Sequence, residues 1–105
     1  MTARGVRQTP VFRVIDALDA PHGGRILRLQ LQDGPPPRVR DLKGSRLTAT
    51  APDGSRRSVT VKGFAAFGGR VSDRRLADTG RIDVHVREDA SDVQPVSIKW
   101  LLTPS

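Results

Sequence analysis

The chain has 105 residues, 18 of them basic and 11 acidic, for a formal net charge of +7 and a pI near 11.4, and it has no cysteine. One domain of this length buries roughly 65% of its unfolded surface, enough for a core, while the lack of cysteine excludes disulfides and thiolate metal sites. No apolar run approaches the ~20 residues of a membrane-spanning helix, and no apolar signal region follows the basic N-terminus, so a cytoplasmic protein with no membrane contact is expected.

Residues 1–8 are polar and basic, and a flexible arm is expected there, with 9–105 forming a single β-barrel domain. Residues 10–17 (PVFRVIDA) give the first strand, with Phe12 and Val14 on one face and Val11, Arg13 and Ile15 on the other. Pro10 suits a strand start, where its missing N–H costs little. The loop that follows holds Gly23-Gly24, a pair suited to a tight turn or to close approach of another backbone. It is no phosphate loop, because neither a Lys-Ser or Lys-Thr pair nor a helix follows.

Residues 25–32 (RILRLQLQ) alternate strictly, with Leu27, Leu29 and Leu31 inward and Arg28, Gln30 and Gln32 outward. The triplet Pro35-Pro36-Pro37 is a stiff spacer, and 38–44 reads as a short extended piece or one turn ending at Gly44. The centre of the chain is a hairpin over 45–64. Leu47, Ala49 and Ala51 share a face with Val59 and Val61, and Pro52-Asp53-Gly54-Ser55 supplies the reversal. Gly63 breaks the alternation and predicts a β-bulge or bend, and Phe64 and Phe67 are expected to plug an end of the barrel.

Residues 72–79 give the one helix candidate: Ser72 as N-cap, Asp73 at the positive end, Leu76 buried and Gly80 as the left-handed terminator. Residues 81–87 (RIDVHVR) alternate again, with Ile82, Val84 and Val86 inward and Asp83, His85 and Arg87 outward. An acidic loop over 88–92 is expected to be solvated, because its spacing lacks the EF-hand pattern. The last strand is expected over 93–102, with Val96, Ile98, Trp100 and Leu102 on one face. Six short strands and one short helix make an all-β fold, a small antiparallel six-stranded barrel, closed or partly open, the economical solution.

The order of parts resembles the β-barrel second domain of translational GTPases, the elongation-factor-Tu-like barrel. The pieces that carry the likeness are GGRILRLQLQDG at 23–34, LKGSRLTATAPDGSRRSVTVKGFAAF at 42–67 and TGRIDVHV at 79–86. There is no GxxxxGK[ST], so the GTPase domain of that family is missing from this sequence. Such barrels contact ribosomal RNA, tRNA ends or other proteins, so the resemblance implies a binding module rather than a reaction, and it carries over no individual contact residue. PilZ-type barrels, which bind cyclic dinucleotides, fit less well: their arginine-rich entry and D/N-x-S-x-x-G strand motif are not both present.

No enzyme activity and no cofactor are expected. His22 and His85 lack neighbouring partners in sequence, no metal site is expected, and neither a nucleophile elbow nor another triad context occurs. A polyanion is the partner that the charge favours. Fifteen of the basic residues are Arg, yet GC-rich codons also yield Arg, Ala, Gly, Pro, Val and Asp, so charge alone does not select a partner. The candidate nucleic-acid-binding group is Arg56, Arg57, Lys62, Arg70, Arg74 and Arg75, which share a face if the helix packs beside the hairpin. A second outward set is Arg25, Arg28, Arg38 and Arg40. With only 4% aromatic residues, RNA binding would rest on backbone and shape. The alternatives are a protein-interaction or accessory domain and a small-ligand-binding barrel.

Overall fold

In a computed structural model, which describes residues 9–21, 23–65, 71–88 and 95–104, six strands close into one ring. They are β1 (Val11–Asp19), β2 (Arg25–Asp33), β3 (Arg46–Thr50), β4 (Arg56–Phe64), β5 (Arg81–Glu88) and β6 (Leu101–Pro104). The order around the ring is β1-β2-β5-β4-β3-β6, and every neighbouring pair is antiparallel. The β1–β6 seam is thin: Phe12 faces Leu102 and Arg13 faces Leu101. Bonds between Val14 and the backbone of Lys99 and Trp100 extend it (2.8 and 2.9 Å). A one-turn helix α1 (Val39–Leu42) and the helix α2 (Asp73–Thr79) interrupt the strands. The β1–β2 and β3–β4 turns therefore lie at one end of the barrel and both helices at the other.

The period of two fills the interior. Phe12, Val14, Leu27, Leu29, Leu47, Ala49, Val59, Val61, Val84, Val86 and Leu102 are all buried along the inward rows. Leu42 and Leu76 belong to the same core at the helical end, and Val96 and Trp100 at the turn end. Phe64 packs against this core, as its place at a barrel end predicts, whereas Phe67 lies outside the described residues. The register slips between Val61 and Gly63, where the glycine predicts a bulge, and again between Val14 and Asp16.

Local signals explain the turns. The Asp53 carboxylate accepts from the Ser55 N–H at 2.9 Å, which closes the hairpin. The Ser72 hydroxyl accepts from Arg75 N–H at 3.1 Å, and Gly80 ends α2 at φ 71. At Gly24 (φ +76) a Cβ would stand 2.7 Å from the Val86 carbonyl, so the glycine permits the close approach that its sequence position suggests.

The last strand departs from expectation. It begins at Leu101, and residues 98–99 form a turn in which Trp100 N–H bonds to Ser97 C=O (3.3 Å) and Lys99 takes φ 80. A turn breaks the period of two, so Val96, Trp100 and Leu102 are buried while Ile98 is 52% exposed.

Candidate nucleic-acid interface

The helix does not pack beside the hairpin turn. Arg56 and Arg57 open β4 at one end of the barrel, and α2, carrying Arg74 and Arg75, follows the other end of the same strand. Nine extended residues separate these ends by about 26 Å. Lys62 is exposed near the helical end, and Arg70 lies outside the described residues. Arg74 and Arg75 are exposed on α2, where Arg74 sits 3.7 Å from Asp78. The five described candidates therefore do not form one face.

Arg56 and Arg57 also point to opposite sides of the sheet. Arg56 faces Thr50 on the outer surface, and Arg57 faces Ala49 on the inner row. The Arg57 side chain is only 7% exposed, and its guanidinium lies over the Trp100 ring at 5.1 Å. Arg57 Nη1 stands 3.7 Å from Glu88 Oε1, and Arg25 Nη1 stands 3.2 Å from Glu88 Oε2. Val96 N–H donates to the same Oε1 at 3.0 Å. Thus Glu88 is not part of a solvated acidic loop, and Arg25 is not an outward residue. With Arg57 they form an Arg–Glu–Arg bridge across the turn end of the barrel. The parity of the strands carried this signal: Arg25 is in phase with Leu27, Arg57 with Val59, and Glu88 with Val86.

The rest of the second set lies outside this bridge. Arg28 is outward and pairs with Asp83 through two bonds, Nε to Oδ1 at 2.9 Å and Nη2 to Oδ2 at 3.4 Å. The hydrogen bond to Asp83, and then its charge, raise the Arg28 pKa above the ordinary value. Arg38 and Arg40 are exposed beside and on α1. His85 Nε2 stands 3.0 Å from the Gly23 carbonyl, which ties the strand to the loop. His22 lies outside the described residues. Among the described residues no three His, Asp or Glu side chains gather as a metal site.

What the fold does assemble is a wall. The outer row of β3 is Arg46, Thr48 and Thr50, that of β4 is Arg56, Ser58, Thr60 and Lys62, and that of β6 is Leu101 and Thr103. None of these outward positions carries a carboxylate. Cross-strand pairing sets Thr60 between Arg46 and Arg87, and Leu101 between Thr50 and Arg13. Arg13, Arg46, Arg56, Lys62 and Arg87 are exposed, and the hydroxyl residues between them are half-buried. The opposite wall is mixed: β1, β2 and β5 put Asp16 and Asp83 beside Arg28.

The chain matches no protein-family model, no curated protein and no solved structure.

Chemically, the β4–β3–β6 wall offers guanidinium and ammonium donors around a strip of hydroxyl groups. Lys62 lies six steps along the strand from Arg56, about 20 Å, and neighbouring strands are about 4.8 Å apart. Phosphate oxygens accept from Arg, Lys, Ser and Thr alike, and contacts of this kind position a backbone without reading its sequence. No helix among the described residues is long and apolar enough to cross a membrane.

Proposed function

We propose that this chain is a non-enzymatic cytoplasmic binding module that takes RNA, bare or within a ribonucleoprotein, by its phosphate backbone along the β4–β3–β6 wall. The observation that carries this reading is the acid-free outer surface of those strands, framed by Arg56, Lys62 and Arg87. Basic residues mixed with carboxylates largely cancel one another at a distance, whereas a single-signed wall attracts a polyanion. The resemblance to the second domain of translational GTPases supports the same reading. So does the shortage of aromatic residues, which favours contact with the backbone over base stacking.

The test is binding of the purified chain to mixed single-stranded RNA at several salt concentrations, beside an unrelated domain of similar charge. Neutralising three or four phosphates gives a log–log salt slope of about −2 to −3. The double variant Arg56→Glu/Lys62→Glu is expected to abolish binding, and Arg74→Glu, outside the wall, to leave most of it. Binding no better than the control domain, or equal loss in both variants, overturns the reading. A protein-interaction role is the second reading, and it rests on Leu18, Ile98 and Leu101, which are 46%, 52% and 40% exposed.

A further inference from the structure

A groove of about 520 Å³ lies where α2 meets the outer surface of β2 and β5, away from the basic wall. Its apolar lining is Ala65, Val71, Leu76 and Ile82. Three arginines line it, Arg28, Arg75 and Arg81, against one acidic residue, Asp83. Its size is that of a small-molecule site, which typically measures about 300–1,000 Å³.

The three arginines differ in what they have left to offer. The two-bond pairing with Asp83 fixes the Arg28 guanidinium, whose side chain is still 43% exposed. A held, flat, half-open guanidinium is a stacking platform for a heteroaromatic ring. Arg81 donates through Nε to Gln30 Oε1 at 2.9 Å, and Gln30 in turn donates to the Thr79 carbonyl at 3.3 Å. That chain orients Arg81 and leaves its two Nη groups for a ligand. Arg75 is exposed on α2, and no described residue pairs with its guanidinium. Ser72 and Thr79, also in the lining, spend their hydroxyls on the backbone of α2. The groove thus joins an apolar floor, one ring-stacking surface and two donors suited to a phosphate.

We propose that this groove binds a single nucleotide, with its base on the apolar floor against Arg28 and its phosphomonoester between Arg75 and Arg81. The same chemistry is presented by a free nucleoside monophosphate and by the 5′-phosphorylated end of an RNA strand. The site is separate from the wall, so it stands whether or not the wall binds RNA.

The full chain is titrated with AMP, adenosine and inorganic phosphate, and with a short RNA bearing a 5′-phosphate or a 5′-hydroxyl. Calorimetry gives affinities, and amide chemical shifts locate the ligand. AMP is expected to bind saturably, at least about tenfold tighter than adenosine or phosphate, because two charge-assisted bonds and the stacked ring act together. Arg75→Gln and Arg81→Gln should each weaken AMP by about tenfold while leaving the urea midpoint unchanged, and Arg56→Glu/Lys62→Glu should leave AMP binding intact. A 5′-phosphorylated RNA that binds tighter than AMP, and tighter than its 5′-hydroxyl form, assigns the strand end as the source. Equal affinity of that RNA and AMP assigns the free nucleotide. Shifts outside the groove, phosphate binding as tightly as AMP, or no saturable AMP binding overturn the proposal.

Discussion

Replacing Glu88 should expose how the turn end of the barrel is held. Glu88 is 11% exposed in its side chain and stands between Arg25 and Arg57, which are 17% and 7% exposed. With an effective dielectric near 20, the separations of 3.2 and 3.7 Å correspond to gross attractions of about 5 and 4.5 kcal/mol. Desolvation of the three groups offsets most of that, so the net worth of the bridge against an apolar replacement is near zero or negative. Removing only the carboxylate is another matter. Glu88→Ala takes the buried carboxylate away from Arg25 and Arg57, leaving Arg25 the exposed Asp19 at 3.0 Å, and costs the Val96 N–H its acceptor, a loss of about 3–5 kcal/mol. A domain of this size has about 5–15 kcal/mol of stability in total, so the variant should be close to unfolding at warm temperatures. Glu88→Gln keeps the shape and an acceptor for Val96, and should lose less. The triple variant Arg25→Met/Arg57→Met/Glu88→Leu, which removes all three charges, should recover much of the loss. The assay is urea unfolding followed by fluorescence of Trp100, the single tryptophan, which lies under Arg57 and is buried. A loss below about 1 kcal/mol in Glu88→Ala, with an unchanged m-value, would mean that water reaches the bridge and that the three charges are not held out of solvent.

Three further outcomes follow from the geometry. Ser72→Ala removes the acceptor for Arg75 N–H and should cost about 1 kcal/mol, read from the urea midpoint, while Ser72→Thr keeps most of it. Gly24→Ala places a methyl against the Val86 carbonyl at φ +76, and should cost more than about 1 kcal/mol and slow folding of the β1–β2 turn little, because the clash forms only in the native packing. The Asp53 carboxyl is held below its ordinary value, first by the Ser55 N–H and then by the Ser55 hydroxyl. A lowered folded-state pKa stabilises above the unfolded value of 3.8 and loses that contribution as pH falls through the folded one. An NMR titration should therefore find the Asp53 midpoint below 3.8, and Ser55→Pro, which removes the N–H donor, should move it up.

Much of the barrel was legible because strand parity is a local property. The alternation of Leu27 and Leu29, of Val59 and Val61, and of Val84 and Val86 gave the inward rows, and all of these residues are buried. Ser72 and Gly80 marked the ends of α2 through bonds that involve only near neighbours in the chain. The last strand starts later than its alternation predicts, because a turn at Ile98–Lys99 interrupts a sequence whose apolar residues still alternate. Parity also reached further than the charge pattern. It places Arg25, Arg57 and Glu88 inward, whereas clustering along the sequence groups the two arginines with solvent-facing residues.

Alternation along the chain is enough to set the fold class, most strand limits and the identity of the core, since burying apolar rows of period two requires a sheet that closes or is covered. Which cations share a surface depends instead on the order of strands around the ring. Ring order sets β3 between β4 and β6, which brings Arg13, Arg46, Arg56, Lys62 and Arg87 around one acid-free wall and sends Arg74 and Arg75 to the far end of β4. Coulomb forces between side chains depend on distance in space, and a closed sheet makes neighbours of residues from every part of the chain.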